Sequence, residues 1–280
     1  MFRSTKQMKG HALRARDGDI GEVKDFYFDD RQWQIRYLVV ETGAWLQSRR
    51  VLLSPAAVGG MDGSLKTFPV DLTMEQVRNS PGIDTDKPVS RQHEEELHAY
   101  YGWPAYWAPT LGIGDLGVPL MPPPAPEPPT EGNAPLRRTG DPHLRSANHT
   151  TGYTIEATDG SIGHVDDYLI DDDGWRIRYL VIDTRNWWPG KKVLVAPGWI
   201  RDVSWESHSV HLDINRDAVK ASPAYEGSEQ WTSAYAAQLH DHYARPRYSD
   251  WDKDVTAGAP RLQPTSRDPK DVIPPVIPLT

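Results

Sequence analysis

The sequence predicts a mainly β protein: two small barrels, each followed by short helices, joined by a Pro-rich linker. Three observations predict it. The chain repeats itself at a fixed offset of 142, with 30 identities in the 97 aligned positions from Gly10 to Tyr106. Each copy holds short β-rich runs separated by polar turn residues. Between the copies, Pro119 to Pro135 carries 8 prolines in 17 residues.

The repeat is gapless. Asp17-Gly18-Asp19-Ile20-Gly21-Glu22-Val23 returns as Asp159-Gly160-Ser161-Ile162-Gly163-His164-Val165. Trp33-Gln34-Ile35-Arg36-Tyr37-Leu38-Val39 returns as Trp175-Arg176-Ile177-Arg178-Tyr179-Leu180-Val181, and Val51-Leu52 and Pro55 return as Val193-Leu194 and Pro197. The exit repeats too: Leu97-His98, Tyr101, Pro104 and Tyr106 match Leu239-His240, Tyr243, Pro246 and Tyr248.

Each copy reads in order as follows. Asp17-Gly18 and Asp159-Gly160 mark a tight turn. A β-rich run ends at Asp29-Asp30, and polar turn formers join it as a hairpin to the run from Trp33 to Val40. Side chains alternate along a strand, so Trp33, Ile35, Tyr37 and Val39 are expected on one face, with Trp175, Ile177, Tyr179 and Val181 as their equivalents. Short strands fit Arg50 to Leu53 and Leu65 to Leu72. Thr73, with Gln76 three residues on, has the form of a capping box, and Asn215 starts the matching helix. Ser80-Pro81 and Ser222-Pro223 end those helices. A second helix is expected from Ser90 to Tyr101, and its counterpart from about Thr232 to Tyr243. The domain boundaries are thus 1–107 for the first barrel with its trailing helix, 108–149 for the linker, 150–252 for the second barrel and helix, and 253–280 for a disordered Pro-rich tail. The two barrels are expected to pack as a pseudo-symmetric pair, with Leu97, Tyr101, Leu239 and Tyr243 partly buried.

Gly10-His11 to Pro81 and Gly152-Tyr153 to Pro223 resemble two PRC-barrel domains. The residues that carry the resemblance are the Asp-Gly-x-Ile-Gly-x-Val entry, the Asp-Asp hairpin, Trp-x-Ile-Arg-Tyr-Leu-Val and the Val-Leu-x-x-Pro exit. The family includes the cytoplasmic part of the photosynthetic reaction-centre H subunit and the C-terminal domain of a ribosome maturation factor. The resemblance implies six-stranded PRC-type barrels that contact other macromolecules rather than perform catalysis.

Composition narrows the function classes. The chain has no Cys, which excludes disulfides, thiolate metal sites and a cysteine nucleophile. A net charge of -8 argues against a dedicated nucleic-acid binder, because phosphate binding needs clustered excess cations. The charge is uneven: residues 150–280 carry 14 basic and 20 acidic groups, whereas residues 1–106 carry 14 and 15. No apolar run is long enough to span a bilayer and the first residues lack a signal core, so a cytoplasmic location is expected.

Motifs for chemistry are weak. His93 and His98 lie five apart, not the four of a zinc-protease helix, and a solvated or capping role is favoured. Asp171-Asp172-Asp173-Gly174 lacks the alternating acids of a calcium loop and reads as a hairpin turn, with weak cation binding left open. No metal, cofactor or catalytic residue is assigned. The candidate interaction residues are Trp45 with Arg49 and Arg50, Trp187 and Trp188 with Lys191 and Lys192, and Tyr101 and Tyr243. A Trp and a basic pair in a polar connection fit an interface, or a ring folded back over a barrel end, equally well. Arg36 and Arg178 sit in the most apolar strand and need a carboxylate, for which Asp25 and Asp167 are the leading partners. Trp33 and Trp175 complete the structural set. The function read from the sequence is a non-enzymatic bacterial adaptor or scaffold that binds a protein. The alternatives are a peripheral component of a photosynthetic reaction-centre complex and an RNA- or ribosome-associated factor.

Overall fold

In the computed structural model, residues 2–60, 66–82, 89, 91–107, 143–171, 173–184, 191–227 and 232–245 are described. In the first half, strands are β1 (Phe2–Ser4), β2 (Ala12–Arg14), β3 (Asp19–Asp29), β4 (Gln34–Thr42), β5 (Arg50–Leu53) and β6 (Thr67–Pro69). In the second half they are β7 (Leu144–Ser146), β8 (Thr154–Ala157), β9 (Gly160–Asp171), β10 (Arg176–Asp183), β11 (Lys192–Val195), β12 (Ile200–Ser204) and β13 (Ser209–Leu212). The helices are α1 (Thr5–Met8), α2 (Met74–Arg78), α3 (Arg91–Tyr101), α4 (Ala147–Thr150), α5 (Arg216–Ala221) and α6 (Ser233–His242).

The strands do not close into two six-stranded barrels. They form one open, mixed sheet with the path β12-β13-β8-β9-β10-β4-β3-β2-β6; β1 pairs with β9, β11 with β10, β5 with β4 and β7 with β3. The departure has a definite cause: the leading strand of each half is given to the other half. Phe2, Arg3 and Ser4 pair antiparallel with Asp171, Ile170 and Leu169. Leu144, Arg145 and Ser146 pair with Asp29, Phe28 and Tyr27. A third junction joins β10 to β4 at Arg176 and Gln34. There Ile35 N–H donates to Trp175 O at 2.8 Å and Ile177 N–H to Trp33 O at 2.7 Å. In place of two barrels packed on each other, the halves meet through main-chain pairing within one sheet.

The long hairpin is the spine of each half, and both its faces are covered. Ile35, Tyr37 and Val39 are buried, and so are Leu38 and Val40 behind them; Ile177 and Tyr179 to Ile182 repeat this. Trp33 and Trp175 are not in the strand as the alternation suggested. Each precedes it at the end of the hairpin turn, with φ near 54° and 53°, and is only partly buried. The left-handed conformation returns the chain for the next strand and breaks the period-two pattern there. Asp29 Oδ1 fixes the first turn by accepting from Arg31 and Gln32 N–H at 2.9 and 3.2 Å.

The Asp-Gly-x-Ile-Gly motif has a steric basis at its second glycine. A Cβ on Gly21 would lie 2.0 Å from Glu41 O, and one on Gly163 2.1 Å from Asp183 O. Their φ values of 157° and 145° add a conformational reason. Further along, Thr73 and Gln76 make the reciprocal capping box, and Asn215 accepts from Ala218 N–H at 2.8 Å. Both helices therefore start where the sequence placed them.

The structure draws the domain boundaries differently from the sequence. Residues 1–232 form one unit and 233–280 another, each described by itself. Residues 143–150, expected as linker and domain start, carry β7 and α4 on the first half. Most of the linker, the tail and Tyr248 lie outside the described residues. In the second unit Leu239 and His240 of α6 and Tyr243 just after it are buried.

Candidate interaction site

The exchanged segments are held by carboxylates. β3 and β9 each slip register at a bulge, between Val23 and Asp25 and between Val165 and Asp167. A bulge re-aims side chains, and here the residue after it, Asp25 or Asp167, takes hold of the incoming segment. Asp25 accepts from the Ser146 hydroxyl at 2.5 Å and from Asn148 N–H at 3.0 Å. Asp167 accepts from the Ser4 hydroxyl, from the Thr5 hydroxyl at 2.6 Å and from Lys6 N–H at 3.1 Å. Ser4 and Ser146 are themselves the caps of α1 and α4, accepting from Gln7 and His149 N–H. Each buried acid therefore closes a network that ties a strand and the first turn of a helix from one half to the bulge of the other. Burial pushes the Asp25 carboxyl above its ordinary value, against the hydrogen bonds from Ser146, Phe26 and Asn148.

Nearby pairs flank these anchors. Asp30 takes Arg145 at 2.9 Å and His143 at 3.0 Å. Asp166 binds Lys6 at 2.5 Å and Lys192 at 2.8 Å. Burial raises the Asp166 carboxyl, but the hydrogen bonds of Lys192 and Lys6 outweigh it and leave it below the usual carboxylate value.

A second cluster lies under α3 on the first half. Tyr27, Tyr37, Val39, Leu52, Val89, Leu97 and Leu144 pack together, with Tyr101, Trp103 and Tyr106 against them. Glu94 is fully buried inside this apolar setting and His98 nearly so. Glu94 Oε1 accepts from the Tyr37 hydroxyl at 2.8 Å and from Tyr106 at 2.7 Å. Tyr37 Oη also lies 2.8 Å from His98 Nε2, and His98 Nδ1 lies 3.0 Å from Pro104 O. A carbonyl can only accept, so Nδ1 carries the proton of that bond. Trp107 closes over the His98 ring at 4.7 Å. These bonds pin residues 101–107 onto the face from which the Pro-rich segment departs.

The sequence-predicted residues fall into place as follows. Arg36 and Arg178 do pair with carboxylates, but these are Asp29 at 3.1 Å and Asp171 at 2.9 Å, not Asp25 and Asp167. The hairpin brings Asp29 opposite Gln34, two residues from Arg36 and on the same face, whereas Asp25 is turned toward the exchanged segment. The Arg36 guanidinium also stacks on Tyr106 at 3.8 Å. Trp45 folds back: its indole N–H donates to Ile20 O at 2.7 Å. Arg49 donates to the carbonyls of Arg78 and Ser80 beyond α2, and Lys191 does the same at Lys220 and Ser222, at 2.6 Å each. Cations at these helix ends satisfy orphan carbonyls. Lys192 is tied to Asp166, and exposed Arg50 lies 3.8 Å from Glu41. Tyr101 stacks on Trp103 at 4.2 Å, and burial pushes its hydroxyl up to about 12. Tyr243 is buried in the second unit, with the His242 ring at 4.7 Å. Trp187 and Trp188 lie outside the described residues. The solvated role expected for His98 is replaced by a buried one.

What the sequence missed is the exchange. Arg3-Ser4 and Arg145-Ser146 also recur at 142, so the repeat runs further toward the N-terminus than Gly10. That identity was the available signal.

The fold thus defines a mainly β protein built on one large, open, mixed sheet. Residues 8–73 match the model of the PRC-barrel domain. The chain is also 35% identical over 103 residues to an uncharacterized protein of Deinococcus radiodurans, a match that covers 32% of this chain and 37% of that one. The chain thus spans little more than a third of the length of this relative. Among the described residues, no helix is long and apolar enough to cross a membrane.

Proposed function

We propose that both halves are PRC-barrel repeats and that the chain is a non-enzymatic adaptor offering a protein partner two equivalent surfaces within residues 1–232. The duplication supports the first part. Gly21 and Gly163, Asp25 and Asp167, and Arg49 and Lys191 play matching parts at an offset of 142. The PRC-barrel match over the first half supports a general interaction or scaffold role.

The observation that carries the second part is the pair of outward helices α2 and α5. Each buries one valine, Val77 or Val219, and turns an acid and a base outward at the same spacing: Glu75 and Arg78, Asp217 and Lys220. The same charge pattern is thus displayed twice, while Arg49 and Lys191 are held by carbonyls at the helix ends and Lys192 by Asp166. Rim charges of this kind set specificity and association rate.

Affinity capture with the full chain tests this. A protein retained at moderate salt, and lost when Glu75→Ala/Arg78→Ala is combined with Asp217→Ala/Lys220→Ala, supports the adaptor reading. Retention of nuclease-sensitive RNA or of pigmented membrane complexes instead would replace it with one of the alternative classes.

A further inference from the structure

We propose that the chain pairs with a second copy of itself by exchanging halves, so that the first half of each copy completes the second half of the other. Among the described residues, the strand junctions between the halves are reciprocal. β1 and α1 dock on β9, β7 and α4 dock on β3, and β4 meets β10. None of these depends on which chain supplies which half. A closed two-chain assembly would therefore contain the same β pairings and the same Asp25 and Asp167 networks, and the two-fold relation closes it without leaving a free end.

The linker tips the balance toward exchange. Leu144 and Tyr106 both pack on the cluster around Tyr37 and Leu97, so the described residues that flank 108–142 lie at one place. That 35-residue connection contains 10 prolines. Proline fixes φ, and proline-dense sequence favours extended chain, which resists bringing its two ends together. In the exchanged pair the same connection spans from one body to the other and need not turn back. A flexible linker of this length holds its ends at an effective concentration in the millimolar range, and a stiffer one that must reverse holds them at less. Exchange is thus a concentration-dependent property of this chain.

The test uses the absence of cysteine in the chain. Gln34 and Arg176 face each other across the β4–β10 junction. The flanking bonds Ile35 N–H to Trp175 O and Ile177 N–H to Trp33 O make them a non-hydrogen-bonded pair, the close antiparallel spacing that suits a disulfide. Gln34→Cys/Arg176→Cys in the full chain, unfolded, refolded at about 5 µM or about 500 µM and then oxidised, reports which chain supplied each half; the concentrations bracket the approach to the millimolar range. Expected is a covalent monomer at the low concentration and a covalent dimer fraction at least tenfold larger at the high one. Replacing the eight prolines of 119–135 by serine should lower that fraction several-fold. A covalent monomer alone at both concentrations, with native circular dichroism, overturns the proposal. An undiminished dimer with the serine linker overturns the linker's part in it. If the cysteine variant does not fold, the unmodified chain is compared by sedimentation after refolding at about 500 µM and after bringing native monomer to that concentration: a dimer formed only by refolding supports exchange, and a dimer formed equally without unfolding, or monomer throughout, refutes it.

Discussion

Asp25 accepts a hydrogen bond from the hydroxyl of Ser146, 121 residues away, at 2.5 Å. This bond joins the bulge of one half to the cap of a helix that leads the other, and Asp167 repeats it with Ser4. Removing the carboxylate in Asp25→Ala should cost about 1–3 kcal/mol, because it strands a partly buried hydroxyl and a backbone N–H. Ser146→Ala should cost about 1 kcal/mol, the usual scale for a lost cap. Urea denaturation of the two single variants and the double variant measures the coupling; additive losses would show that the bond is not shared.

The same residue gives a pH prediction. Burial raises Asp25 above its ordinary value, so on raising the pH the unfolded chain loses this proton first. Within that window the folded state binds more protons, and stability falls as pH rises from about 4 until the folded carboxyl has ionised. Asp25→Asn removes this contribution. The stability of the parent relative to the variant should be highest below about pH 4 and decline above it. A difference that grows with pH would reverse the assignment.

Tyr37→Phe removes one donor to buried Glu94 and the hydroxyl beside His98 Nε2. The expected loss is about 1–3 kcal/mol. Trp103 and Trp107 both lie against His98, at 5.8 and 4.7 Å, so the loosening should also appear as a change in tryptophan emission. Unchanged emission together with unchanged stability would show that the bonds to Glu94 and His98 do not hold this segment.

Gly21→Ala tests the steric reading of the motif. Its Cβ would meet the main chain of Glu41 and Thr42, which cannot move as a side-chain end can. The variant should lose about 3 kcal/mol or more, combining a forced backbone shift with a disfavoured φ. Gly18→Ala meets only the flexible Met74 side chain, and should cost less than half as much. Equal losses at the two sites, measured by thermal unfolding, would remove the distinction.

Ile35→Ala should cost about 2–5 kcal/mol as a core truncation in the hairpin spine, since Ile35 is 2% exposed. A loss below 1 kcal/mol by urea denaturation would place it outside the core.

Much of the fold was legible because its causes are local or repeated. The hairpin follows from Asp29-Asp30 between two β runs, the helix starts from Thr73 with Gln76 and from Asn215, and the two-part plan from identities at one offset. Each of these signals acts within a few residues or between aligned copies. The Arg36 partner was misread because a bulge decides which carboxylate faces the guanidinium, and a bulge leaves no mark in the period-two pattern. His98 was read as solvated or capping because its spacing from His93 does not suit a metal site; only docking on Tyr37 and Tyr106 makes it and Glu94 internal.

The sequence by itself determined the long hairpins, the starts of α2 and α5, the identities at one offset and the glycine positions, since backbone sterics, capping and side-chain period are properties of short segments. The tertiary structure alone decided that the halves share one open sheet. Phe2–Ser4 and Leu144–Ser146 form three-residue strands with equal local preference for either half, and the choice is made by long-range pairing and by Asp25 and Asp167, whose partners lie more than a hundred residues away.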